Sequence, residues 1–232
     1  MATAEKIIDG RRVIVYPAAA ATAPVVYAPM YQESGRALLD ACAARGTAPF
    51  HLVTLSHLRW EADLSPWPCP PVFTKGGGFA GEAAAFTELL TAQVLPFAEA
   101  ALGVPPYRVL AGYSMAGLYA LYAPFLTDAF SRLVCASGSV WFPDFVPYVE
   151  EHAFRRTPET AYLSLGDRES RTKNPTLRSV WDCMERLHDH FERQGISTTL
   201  ERNPGNHYVD AAGRLARGIV WALGQGEAGE RQ

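Results

Sequence analysis

The stretch Val109-Leu110-Ala111-Gly112-Tyr113-Ser114-Met115-Ala116-Gly117-Leu118 constrains this chain more than any other, because an apolar run passes straight into a helical pattern through a serine flanked by small residues. A turn of that kind forces the serine into strained backbone geometry. The positions two before and two after it must then be small, to clear the adjoining strand and helix. Gly112 and Ala116 meet this demand, although the usual pattern G-x-S-x-G has glycine where Ala116 stands, with Gly117 one position later. The plainer alternative is a serine that caps the helix N-terminus.

The surrounding sequence supplies a frame for such a turn. Apolar and β-branched runs at Arg12 to Tyr16, Pro24 to Pro29 and His51 to Leu55 read as strands, and Glu33 to Arg45 reads as a helix stopped by Gly46. Arg59 to Gly81, crowded with Pro, Gly and aromatics, reads as a long loop. Its triplet Gly76, Gly77 and Gly78, after Lys75, lacks the GK[ST] ending of a phosphate loop. Glu82 to Leu102 has helical spacing that tolerates Pro96 only with a kink or a break. Strands then fall at Tyr107 to Ala111, Phe130 to Ala136, Ala161 to Leu165 and Ser197 to Glu201. Helices fall at Met115 to Tyr122, Thr176 to Arg193 and Tyr208 to Leu223. This alternation predicts an α/β fold: a mostly parallel central sheet with helices on both faces. A single domain over residues 1–232 is expected, without a large cap and with 224–232 as a frayed tail.

Composition narrows the function classes. A net charge of -3 gives no electrostatic footprint for nucleic acid. Cys42, Cys69, Cys135 and Cys183 are widely spaced without a CxxC pair, which argues against a zinc knuckle or disulfide scaffold and fits a reducing cytoplasm. Residues 13–30 carry no charge and follow Arg11 and Arg12, like an export signal, but Pro17, Pro24 and Pro29 interrupt them. No stretch approaches the roughly 20 apolar residues a membrane helix needs, so no membrane partner is expected.

A serine nucleophile needs a base, nearly always histidine, itself oriented by a carboxylate. His207 sits in Asn203-Pro204-Gly205-Asn206-His207, between the last strand and the last helix, whereas His188 and His190 lie two apart on a helix and read as solvated. His51, His57 and His152 have no comparable setting. Asp167 and Glu169, in the turn after Ala161 to Leu165, are candidate acids, with Asp144 a third; beside Arg168, the first two also fit a charged surface turn.

Together GYSMAG around Ser114, LGDRE from Leu165 to Glu169 and GNH ending at His207 resemble the α/β-hydrolase superfamily, in particular the esterase D-like group that includes enterochelin esterases. The resemblance implies a chain order of serine, acid, histidine, with the acid three residues after Gly166, hence Glu169 with Asp167 as the alternative. Some members of the group manage with a serine and histidine alone. The oxyanion hole would use the N–H of Met115 and, by resemblance, that of Tyr31 or Met30, where the family's His-Gly is replaced by Pro29-Met30. Trp60, Trp67, Phe73, Trp141 and Phe142 are candidates for an acyl pocket, or equally for anchoring loops in the core. The expected activity is hydrolysis of small or aryl acyl esters through an acyl-enzyme on Ser114, with no cofactor and no metal. An acyltransferase or thioesterase with the same residues is the alternative, and so is a catalytically silent binding protein. A small-molecule ester is the expected partner, and a homo-oligomer is left open.

Overall fold

The computed structural model describes residues 4–31, 35–73 and 76–226. Its strands in chain order are β1 (Ala4–Ile8), β2 (Arg11–Tyr16), β3 (Val25–Pro29), β4 (His51–Ser56), β5 (Pro68–Cys69), β6 (Phe79–Ala80), β7 (Arg108–Tyr113), β8 (Arg132–Ala136), β9 (Thr160–Gly166) and β10 (Ser197–Asn203). The α-helices are α1 (Arg36–Ala43), α2 (Trp60–Asp63), α3 (Ala83–Leu89), α4 (Leu95–Leu102), α5 (Met115–Tyr122), α6 (Phe145–Glu151), α7 (Pro175–Arg178), α8 (Val180–Arg193) and α9 (Ala211–Gly224). Eight strands form one sheet in the order β1-β2-β4-β3-β7-β8-β9-β10. The β1–β2 and β2–β4 pairs are antiparallel, and all pairs from β4 to β10 are parallel.

Two core layers follow from the period-2 alternation of the buried strands. Val25, Tyr27, Leu110 and Leu133 face α3, α4, α5 and α8, while Val26, Val109, Val134 and Tyr162 face α1 and α9. Helices thus cover both faces of a mostly parallel sheet. After β3 the chain first adds β4 on one side and later β7 on the other. The carboxyl ends of β3 and β7 therefore flank a switch point, where a crevice opens in such sheets. Met30–Tyr31 and Ser114 lie immediately past those two ends.

Several elements differ from the sequence expectation. β1 was not anticipated, yet Asp9 and Gly10 both have positive φ (46° and 78°) and close a two-residue hairpin, with Ile8 opposite Arg11. The helical run through Pro96 neither breaks nor stops. A π-helical turn at Leu90–Val94 runs directly into α4 just ahead of the proline, so the regular bonding ladder is interrupted where Pro96 has no N–H to continue it. The expected long loop contains α2 and the β5–β6 ribbon. It is anchored by a fully buried Asp63, which accepts from Arg11 Nε and Nη2 (3.0 and 2.7 Å) and from Arg59 Nη2 (2.8 Å). Helix α6 was also unanticipated, because Pro147 interrupts its pattern. The last helix starts at Ala211 rather than Tyr208, leaving His207 on a turn. Lys75, Glu33 and most of the expected tail lie outside the described residues.

Candidate active site

Ser114 sits at the junction of β7 and α5 with φ 60° and ψ −123°, a conformation that side-chain-bearing residues avoid. The surroundings enforce it. A Cβ at Gly112 would lie 2.0 Å from the Ala116 carbonyl oxygen, so the small residue two before the serine is obligatory. The turn also leans on β8: Ser114 N–H donates to the Ala136 carbonyl (3.2 Å), and Ser139 N–H donates to the Ser114 carbonyl (3.0 Å). Ala116 is fully buried without displacing this geometry. The close backbone approach instead falls at Gly117, where a Cβ would meet the Gly138 Cα at 3.0 Å.

This bend places the Ser114 Oγ 3.0 Å from His207 Nε2, and His207 Nδ1 lies 2.8 Å from Glu169 Oε2. The Glu169 side chain is 5 % exposed. Burial works against its ionisation, but the hydrogen bond with His207, the Gly166 N–H (2.6 Å) and the charge of the imidazole outweigh it, holding the carboxyl below the usual carboxylate range. An ionised carboxylate can only accept, so Nδ1 donates its proton to Glu169, and in the neutral imidazole Nε2 is then the nitrogen that accepts the Ser114 hydroxyl. Asp167 does not face the imidazole: its Oδ1 accepts the Gly205 N–H (2.8 Å) and so ties down the histidine loop. Asp144 starts α6 and is likewise not among the partners of His207. Tyr113, the residue between Gly112 and Ser114, donates its hydroxyl to the His207 carbonyl at 2.6 Å. That contact was invisible in sequence, since a tyrosine at a variable motif position carries no signal.

The two oxyanion-hole alternatives after β3 are separated by the sheet. Met30 N–H donates to the Leu55 carbonyl at 2.7 Å and is spent there, whereas Tyr31 lies past the strand end and lines the cavity with its ring against Trp60. The N–H of Met115, first residue of α5, has no acceptor inside its own helix.

Ser114 opens into a cavity of about 690 Å³. Trp60, Phe73 and Trp141 line it, as do Phe79 and Tyr208, which sequence reasoning missed. Trp67 and Phe142 do not line it; of the two expected roles they take the anchoring one, not the pocket one. The Trp67 indole N–H donates to the Pro143 carbonyl (3.2 Å), its ring packs on Tyr122, Phe142 and Tyr148, and Phe142 is buried beneath Phe79. Both anchor the wall from behind.

Away from the cavity, His190 is buried rather than solvated, and burial lowers its pKa. His188, Asp189 and Glu192 bring ligand atoms within 4.8 Å of one another on one turn of α8, in a partly exposed arrangement common without an ion. All four cysteines are free; burial pushes the Cys42 thiol up to about 12, away from nucleophilic character. Among the described residues no helix is long and apolar enough to cross a membrane.

The protein-family model described as "Putative esterase" matches residues 33–211. In fold the chain is similar to the siderophore hydrolase EstA from Aspergillus nidulans, with a TM-score of 0.72, 19% identity, and coverage of 96% of this chain and 93% of that one. It is also similar to an IroE-like serine hydrolase from Shewanella oneidensis (TM-score 0.77, 18% identity, 95% and 79% covered). A third similar structure is the enterochelin esterase from Shigella flexneri (TM-score 0.73, 18% identity, 96% of this chain but 58% of that one). No curated protein sequence matches. At such identities the structural likeness is one of fold, whereas the family match spans well over half of the sequence: the chain belongs to this esterase family and carries the α/β-hydrolase fold.

Proposed function

We propose that this chain is a serine carboxylic-ester hydrolase working through an acyl-enzyme on Ser114, with His207 as general base and acid and Glu169 as the orienting carboxylate. The observation that carries this reading is the unbroken relay Ser114 Oγ–His207 Nε2–Glu169 Oε2 at 3.0 and 2.8 Å, at the mouth of a cavity.

In the first half-reaction Ser114 Oγ bonds to the acyl carbon while its proton passes to His207 Nε2. The resulting oxyanion is received by the amides of Met115 and Tyr31, with the N-terminus of α5 adding its partial positive charge. Collapse breaks the bond to the leaving oxygen, which takes the proton back from His207. Water then enters, gives a proton to His207 and attacks the acyl carbon. Breakdown frees the acid and returns that proton to Ser114.

The aromatic lining of Trp60, Phe73 and Trp141 suits small or aryl acyl groups. The fold's likeness to siderophore hydrolases makes siderophore-type esters worth including beside them. Four free cysteines accord with a reducing, cytoplasmic setting. A fluorophosphonate probe should label the wild-type protein on Ser114, and Ser114→Ala should abolish both labelling and hydrolysis of an aryl-ester panel. Undiminished turnover by Ser114→Ala would overturn the assignment, while transfer of the acyl group to added alcohols in preference to water would redirect it to an acyltransferase.

A further inference from the structure

Arg214 lies in the first turn of α9 and is fully buried. Arginine is almost never buried this completely without a dedicated set of partners, and a cation near a helix N-terminus works against the helix dipole. Its placement is therefore locally unfavourable, and the compensation lies in what it touches. Nη1 donates to Glu169 Oε1 (2.9 Å) and Ser137 Oγ (3.0 Å), with the Tyr113 hydroxyl at 3.5 Å. Nη2 donates to the Pro204 and Asn206 carbonyls (2.8 and 3.0 Å).

We propose that Arg214 is a positioning residue of the Ser114 site, one guanidinium that fixes the acid and the histidine loop relative to the strand ends beside the nucleophile. The proposal rests on the reading of Ser114, His207 and Glu169 given above. By occupying Oε1, Arg214 leaves Oε2 as the oxygen that meets His207 Nδ1, which sets the rotation of the carboxylate. By spanning the carbonyls of Pro204 and Asn206, it closes the turn at Gly205, whose φ is +96°, two residues before His207 enters the relay. The fit leaves no slack: a Cβ at Gly166 would lie 2.9 Å from both Nη atoms and 2.4 Å from the Gly205 carbonyl oxygen. The loop is also held by the Tyr113 hydroxyl on the His207 carbonyl, by Asp167 on the Gly205 N–H and by the Arg168 N–H on the Gly205 carbonyl (3.1 Å). Arg214 adds a second tie to Glu169 beside that of His207, joining the backbone carbonyls of Pro204 and Asn206 to the other carboxylate oxygen.

The planar fork is what the geometry uses, and a lysine ammonium cannot reach both carbonyls and the carboxylate with the same directions. The experiment measures kcat and KM of the full chain on an aryl acetate, each normalised to the sites that a fluorophosphonate titrates, for wild type, Arg214→Lys and Arg214→Met. A misplacement of catalytic groups by an ångström costs about 10²-fold, so Arg214→Met should lose about that much kcat per titrated site with KM within roughly threefold. Arg214→Lys should lose about tenfold in kcat per titrated site. A merely structural role would lower the titratable fraction and the thermal midpoint but leave kcat per site unchanged, and that result would overturn the proposal. Where Arg214→Met does not fold, Arg214→Lys decides by the same criterion. A wild-type protein that hydrolyses the ester without labelling at Ser114 would instead sink the underlying reading.

Discussion

The two walls of the cavity are built on opposite plans. On the Ser114 side, Tyr113, Asp167, Glu169, His207 and Arg214 form a network of directional hydrogen bonds at 2.6–3.0 Å, with the Arg214 and Glu169 side chains buried at its centre. At the aromatic wall, Tyr31 meets Trp60 and Phe73 meets Trp141 by ring edges at centroid distances of 5.4 and 5.7 Å, and Tyr31 and Phe73 are 63% and 48% exposed. Hydrogen bonds fix angle and distance, as proton transfer requires, while apolar contact tolerates a change of shape. In the function proposed above, the contrast gives chemistry to one wall and substrate choice to the other.

The hardest blow to that division would come from His207. His207→Ala should cost on the order of 10⁶ in kcat with the fold intact, as loss of the base does in other serine hydrolases; near-wild-type turnover by a folded variant would erase the chemical wall. Next in size, Glu169→Gln should lose on the order of 10⁴, whereas Asp167→Asn should stay within about tenfold of wild type. A reversal of that order would move the acid to Asp167 and leave Glu169 as a structural anchor. On the aromatic wall, Trp60→Ala or Phe73→Ala should shift KM and the ranking of acyl groups by up to about tenfold while leaving kcat on a small acetyl ester nearly unchanged. A large drop in kcat on the acetyl ester would show that the two walls are not separable.

The smallest effect concerns stability. The folded-state pKa of Glu169 is depressed, so its contribution is complete above the unfolded glutamate value, near 4.3, and is lost as pH falls through the lower folded value. Urea midpoints measured from pH 6 downward should therefore fall more steeply for wild type than for Glu169→Gln. Parallel curves would mean that the carboxylate is not favoured in its charged form by the folded site.

What the sequence by itself determined was whatever depends on neighbours along the chain. The Ser114 turn was readable because Gly112 and Ala116 act within one strand–helix junction. The alternation from β7 to α9 was readable because apolar periodicity is a local property, and His207 was readable from its GNH turn between the last strand and the last helix. The β1–β2 hairpin had its signal too, in Asp9-Gly10 with φ positive at both residues. The tertiary structure alone decided the matters that turn on contacts between distant segments. The residue types and their shared turn leave Asp167 and Glu169 both open as the acid, a resemblance alone favouring Glu169, and the path of the histidine loop gives one to Gly205 and the other to His207. Met30 and Tyr31 are separated by whether β4 claims the amide, and Trp67 is separated from Trp60 by what packs behind it. Arg214, on a helix with no motif around it, gains its partners only when β7, β8, β9 and the turn after β10 converge. Local sequence fixes backbone conformation because sterics act over a few residues. Partner choice is left to packing, because several donors compete for each acceptor and only the folded geometry selects among them.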